Sequence, residues 1–223
     1  MPFQRLVWIP ALLCGLGFWR LEAAGLVKPL EGKVLVLDPG HAVKNEAGKI
    51  INAGAQASRR GVLERDVALH VADTIATLLE AQGAKVVMTR TRTNPWRYGF
   101  TSQADNRGRA ILANMMRADA YIRIHCDWNR DRRFQGFTTY FYRWGSRELA
   151  ENIHQSLANT FPGHRDNGVK RRSFVSASAH MPAVLVELGV LSNKTEGKEL
   201  SEDTHQSQLA MAVAEGITNY FAK

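Results

Sequence analysis

Val34-Leu35-Val36-Leu37-Asp38-Pro39-Gly40-His41 carries four aliphatic residues in a row, then a turn, then a histidine. A short branched apolar run bounded by Pro and Gly reads as a strand buried on both faces. Buried strands of this kind belong to sheets covered by helices, so the flanking sequence should alternate strand and helix. It does. Lys28 to Gly32 reads as a short linker before the strand, and Ala42 to Gly61 as a polar loop with several glycines. A helix is expected from Glu64 to Gln82, because Val67, Val71, Ile75, Leu78 and Leu79 share one face and Gly83 ends it. Lys85–Met88 reads as a second strand, Thr91–Thr101 as a loop and Gln103–Met116 as a helix. Further strands are expected at Ala120–Ile124, Phe137–Tyr142 and Ala183–Val186. Helices are expected at Arg147–Phe161, Thr195–Leu200 and Thr204–Phe221, with Pro162–Asn167 as a loop. The expected fold is α/β: a single domain with a mixed, mostly parallel sheet flanked by helices. A chain of 223 residues suits one such domain.

In parallel sheets, sites lie beyond the carboxyl ends of the strands. His41, His125 and Glu187 each stand at or just past the end of an expected strand, and Glu64 opens the helix after the first strand. Two histidines and a glutamate form a common catalytic zinc set, which leaves one coordination position for water. His41, Glu64 and His125 are therefore candidate metal ligands. Glu187 is the candidate catalytic base, and burying it inside Val184-Leu185-Val186-Glu187-Leu188-Gly189 would be costly without a role or a partner. For Glu64, the plainer alternative is a first-turn glutamate favoured by the helix dipole. Of the other histidines, His70 follows Glu64 on the same helix away from the strand edge, and His180 is at best an outer neighbour of the site.

The stretches Asp38-Pro39-Gly40-His41, Gly61-Val62-Leu63-Glu64-Arg65-Asp66, Ile122-Arg123-Ile124-His125 and Pro182–Gly189 resemble the zinc-dependent N-acetylmuramoyl-L-alanine amidases in order and flanking residues. The resemblance covers about residues 33 to 222. Gly54-Ala55, Thr89-Arg90, Arg109 with Ala113-Asn114, Asn167-Gly168-Val169 and Leu191-Ser192-Asn193 extend it. Departures are Ala42-Val43 after the first histidine, Arg123 where a serine is common, and Cys126-Asp127 after the second histidine. The resemblance implies hydrolysis of the amide between the muramoyl lactyl group and L-alanine of peptidoglycan. It also implies Zn2+ held by His41, Glu64 and His125, with Glu187 as base and then acid. Some members carry an inserted helix that plugs the site. Here the 61 residues from 126 to 186 are already filled by expected elements, which points to an enzyme active without an activator. Trp96, Tyr98, Phe100 and Trp128 are candidates either to stack on sugar rings or to pack loops onto the core.

The formal net charge of +8 suggests a polyanionic partner, such as cell-wall polymer, anionic lipid or nucleic acid. The basic clusters Arg130-Asp131-Arg132-Arg133 and Lys170-Arg171-Arg172 read most simply as solvated loops. Arg5 followed by the uncharged, mostly apolar run Leu6–Trp19 reads as an export signal, with cleavage near residue 24 after Ala23 or Ala24. That run is too short to span a membrane comfortably, and an uncleaved anchor is the alternative. Export places the enzyme in the periplasm or extracellular wall, and a monomer is expected. Loss of the leader removes Cys14 and leaves Cys126 alone, so no disulfide is expected.

Four other readings compete. Cys126 beside His125 invites a thiol nucleophile, but adjacent strand residues face opposite ways. A zinc peptidase of another kind, or a wall-binding protein with a weak site on the same fold, would share the residues. A nucleic-acid-binding protein fits the charge, but no nucleic-acid module is apparent.

Overall fold

A computed structural model describes residues 28–41, 52, 54–57, 61–93, 99, 101–173 and 177–223. The expected leader, Ala42-Val43, and the aromatics Trp96, Tyr98 and Phe100 lie outside these residues. The sheet is built from β1 (Val34–Pro39), β2 (Lys85–Met88), β3 (Ala120–Asp127), β4 (Phe137–Phe141), β5 (Asp166–Arg171) and β6 (Ala183–Val190). Its order is β2-β1-β3-β6-β4-β5. All neighbours run parallel except β4 and β6, which are antiparallel. The helices are α1 (Glu64–Ala81), α2 (Ser102–Met115), α3 (Arg147–Thr160), α4 (Lys194–Glu199) and α5 (Asp203–Phe221). The α/β, mostly parallel architecture is the one expected.

Alternation along the strands sorts the core into two faces. Leu35, Leu37, Ile122, Ile124, Cys126, Val184, Val186 and Leu188 pack with apolar residues of α1, α3 and α5. Val36, Tyr121 and Ala183 pack on the other face with Ala110 and Ala113 of α2. Val67, Val71, Ile75 and Leu79 of α1 are buried as their spacing implied, while Leu78 is only partly so. Gly83, at φ +96°, ends α1 in a Schellman turn: its N–H reaches Glu80 O, and the Ala84 N–H reaches Leu79 O.

Several boundaries differ from expectation. β3 and β6 run on through His125 and Glu187, so both residues sit within strands and pair with each other in register. A bulge follows between His125 and Asp127. The supposed loop from 162 to 167 gives way at Asp166 to β5, an edge strand that also takes in Lys170 and Arg171 from the basic cluster. The stretch before β1 is more than a linker, because Leu30 is fully buried in the main core.

Candidate active site

Four elements bring their ends together at one edge of the sheet. The turn after β1 supplies His41, the first residue of α1 supplies Glu64, β3 supplies His125, and β6 supplies Glu187. All four line one open cleft of about 610 Å³, together with Asn52, Gly54, Asp127 and Trp128. One nitrogen from each of His41 and His125 and one oxygen of Glu64 lie within 4.8 Å of one another.

The contacts inside this group are those of ligands gathered around one point. Glu64 Oε1 lies 2.8 Å from His41 Nε2 and 2.9 Å from His125 Nδ1, and it accepts the Cys126 N–H at 3.1 Å. Glu64 Oε2 accepts the Ala55 N–H at 2.8 Å. His41 Nδ1 faces Asn52 Oδ1 at 2.9 Å. The Gly54 N–H donates to the same Asn52 oxygen at 3.1 Å, which fixes the orientation of that amide. His41 therefore meets an oxygen acceptor at both ring nitrogens. A neutral imidazole has one proton, and giving it to Asn52 leaves the Nε2 lone pair facing a carboxylate oxygen. Only a cation, either a proton or a metal, makes that contact favourable. A metal-binding histidine commonly donates its second nitrogen to such an outer partner. His125 Nε2 is buried with no hydrogen-bond partner among the described residues, which also fits a polar atom meant for a group outside the chain. The residues present thus fit a divalent metal.

The electrostatics agree. Burial alone would raise Glu64, but hydrogen bonds with His125 and His41 outweigh it and hold the carboxyl well below its usual range. Burial, with Arg123 and His41 nearby, pulls His125 down to about 4 against the opposing bond to Glu64. The ring is then neutral near pH 7, as a metal ligand must be. Glu187 moves the other way. Burial first, then the Glu64 and Asp127 carboxylates, push it well above the usual carboxylate range. Its Oε2 is buried without a hydrogen-bond partner among the described residues. A raised, unpartnered carboxyl at the floor of an open cleft is equipped to carry a proton.

Close approach dictates two glycines. A Cβ on Gly40 would run into the His125 ring. A Cβ on Gly54, which adopts φ +73°, would fall 2.6 Å from the His41 ring and 2.7 Å from Glu64 Oε2.

The turn that presents His41 is held from below by a buried charge network. The Asp38 carboxylate is fully buried. Its Oδ1 accepts from Thr89 Oγ1 at 2.6 Å and Arg109 Nη1 at 2.7 Å. Its Oδ2 accepts from Tyr121 OH at 2.6 Å and Arg123 Nε at 2.8 Å. Burial opposes ionisation, but Arg109 and Arg123 prevail and hold Asp38 far below its usual range. Arg109 and a third arginine, Arg90, reach the backbone of the turn. Arg90 donates to the carbonyls of Pro39 and Gly40, and Arg109 to that of His41. His41 itself sits at φ +66°, a conformation that needs such support.

Asn52 and the Asp38 network are what the sequence did not disclose. In sequence, Asn52 falls in a loop with no periodicity, and Asp38 reads only as a turn residue. The signal that could have found Asp38 was Arg123, standing where a serine is usual, with Arg90 and Arg109 at matching positions. The remaining histidines stay away from the cleft. His70 lies half-buried on α1, and His180 is exposed before β6, its N–H donating to Asn114 Oδ1. Cys126 points into the core beneath the sheet, and burial first, then Glu64 and Glu187, push its thiol well above its ordinary value. Trp128 is 44% exposed at the rim, with the Arg132 guanidinium 5.6 Å from its ring centre.

Comparisons with known proteins agree with this geometry. Over 197 residues the chain is 32% identical to the probable cell wall amidase LytH of Staphylococcus aureus; the match takes in 87% of this chain but only 60% of LytH. The catalytic domain of the amidase CwlV from Paenibacillus polymyxa superposes with a TM-score of 0.72 at 28% identity, over 84% of this chain and 97% of that domain. The amidase AmiC2 of Nostoc punctiforme gives a TM-score of 0.74 at 26% identity, over 86% of this chain and 98% of the other. A family model described as N-acetylmuramoyl-L-alanine amidase matches residues 35–219, and with the strand-edge cleft, the gathered His41, Glu64 and His125, and Glu187 beside them, this chain belongs to the N-acetylmuramoyl-L-alanine amidases, the hydrolases of peptidoglycan.

Proposed function

We propose that this chain is a zinc-dependent amidase that cuts between the lactyl group of N-acetylmuramic acid and the L-alanine of the peptidoglycan stem. The observation that carries the reading is the convergence of His41, Glu64 and His125, whose ligand atoms lie within 4.8 Å of one another. These three residues would hold the metal. A zinc ion there supplies Lewis acidity to the scissile carbonyl and lowers the pKa of a water towards ~7.

The protein's own groups supply the rest. Asn52 orients the His41 ring through Nδ1, and Glu64 is steadied by the Ala55 and Cys126 N–H groups. Glu187 Oε2 is the atom that takes a proton from the attacking water and returns it to the amide nitrogen. That nitrogen leaves poorly unless protonated, so one carboxyl must act as base and then as acid. Trp128, exposed at the rim of the cleft, is the candidate surface for a sugar ring.

The interval between His125 and Glu187 is occupied by β4, α3 and β5. This supports an enzyme that needs no activator to clear a plug from its site. Peptidoglycan as substrate places its work outside the cytoplasm, and among the described residues no helix is long and apolar enough to cross a membrane.

The test uses purified peptidoglycan and the full chain, with zinc, with a chelator, and beside Glu187→Ala. Zinc-dependent release of peptides with a free L-alanine amino terminus, absent in the variant, is the expected result. Chelator-resistant release, or no release by the zinc-loaded protein, refutes the mechanism.

A further inference from the structure

A second convergence of two imidazoles and a carboxylate lies away from the cleft. His164 stands in the loop after α3, Glu199 is the last residue of α4, and His205 is in the first turn of α5. One ligand atom of each lies within 4.8 Å of the others. His164 Nε2 is 3.2 Å from Glu199 Oε2. The two rings stack at 5.7 Å with 29° between their planes. Phe161 packs against both, at 5.2 Å from His164 and 5.1 Å from His205, and fixes how they face.

We infer that His164, Glu199 and His205 form a second site for a zinc-class divalent cation, structural rather than catalytic. The donor set is the one zinc uses most readily with oxygen and nitrogen ligands: two imidazoles, one carboxylate and room for a water. Each ligand comes from a different segment, so a bound ion would tie the loop at His164 to the ends of α4 and α5.

The surroundings separate this site from the catalytic one. Besides Glu199, the carboxyl lining it is that of Glu196, whose oxygens are both engaged: Oε1 accepts the Gly136 N–H at 2.7 Å and Oε2 the Val190 N–H at 2.8 Å. The pocket is lined by Leu188 and Gly189 of β6 with Leu200 and Leu209, an apolar wall without a cleft for substrate.

The test is zinc stoichiometry on the full chain, with free zinc buffered in the micromolar range. Wild type should retain two equivalents, and His205→Ala and Glu199→Gln one each. His41→Ala should keep the equivalent that His205→Ala loses. Glu199→Gln preserves the shape of the site, so it still reports if His205→Ala does not fold. Cobalt should reproduce the count, with a visible d–d band in His41→Ala that disappears when His205→Ala is added. A single equivalent in wild type, left unchanged by Glu199→Gln, overturns the inference. So does a second equivalent that survives both substitutions. Neither result touches the catalytic reading, which stands or falls with the equivalent lost in His41→Ala.

Discussion

Replacing Asp38 by asparagine tests the buried network under the active-site turn. The carboxylate accepts four hydrogen bonds, two of them from guanidinium groups that are themselves buried. Asparagine has the same shape, no charge, and one acceptor oxygen. If that oxygen keeps Thr89 and Arg109, the new NH2 faces the Tyr121 hydroxyl and the Arg123 N–H. Tyrosine can turn and accept; arginine has only donors. The variant therefore sets donor against donor and leaves two buried cations short of one countercharge. Breaking a buried ion pair from one side costs about 3–5 kcal/mol. For a domain stable by about 5–15 kcal/mol this is a large share. With a urea slope of about 2–3 kcal/mol/M, the midpoint should fall by roughly 1–2 M.

Urea titration followed by circular dichroism measures this directly, and its pH dependence sharpens the test. Asp38 is depressed in the folded state, so its contribution is complete above the unfolded value of about 3.9. It is lost as pH falls towards the folded value. The gap between wild type and Asp38→Asn should then be flat near neutrality and narrow below about pH 4, while wild type remains folded. A midpoint change under about 0.3 M, less than 1 kcal/mol on the same slope, would refute the reasoning. So would a gap that widens in acid.

Other outcomes follow from the same geometry. Gly54→Ala forces a side chain into φ +73° and against His41, at a cost of about 1–2 kcal/mol; zinc titration should show weakened binding at the cleft in a protein that still folds. Asn52→Ala removes the partner that orients His41 and should lower metal affinity about 10–100-fold, measured against a competing chelator. Cys126→Ala should hydrolyse peptidoglycan at the wild-type rate, because the thiol is buried in the core and held protonated; loss of activity in the folded variant would revive the thiol nucleophile.

The fold was legible wherever burial imposes a period. Val34–Leu37, Ala120–Ile124 and Ala183–Val186 announce themselves because both faces of a central strand are covered. The strands' continuation through His125-Cys126-Asp127 and Leu188-Gly189-Val190 is hidden because the aliphatic run that marks each strand is broken by His125 and Glu187, although Cys126 and Leu188 keep facing the core. β5 was missed for a related reason. Asp166-Asn167-Gly168-Val169-Lys170-Arg171 has one aliphatic residue and lies at the sheet edge, where β4 is its one strand partner. His41, Glu64, His125 and Glu187 could be picked out because a metal-type ligand set constrains residue type and strand position together. Asn52 could not, because its place in a loop depends on tertiary contact. The pairing of Asp38 with Arg109 and Arg123 joins residues 71 and 85 positions apart, a distance over which local pattern carries no information.

The grip of Arg90 and Arg109 on the carbonyls of Pro39, Gly40 and His41 bears on the order of events in maturation. Each bond is made by the chain alone. The turn beneath the cleft is thus fixed when the sheet closes. On the proposed zinc reading, closing of this turn and capture of the metal are separable steps: the chain would close its sheet in a zinc-poor compartment and take up its ion later. Stripping the proposed ion should return a dormant, folded protein that revives on resupply, and zinc supply would then act as a reversible throttle on cutting of the wall.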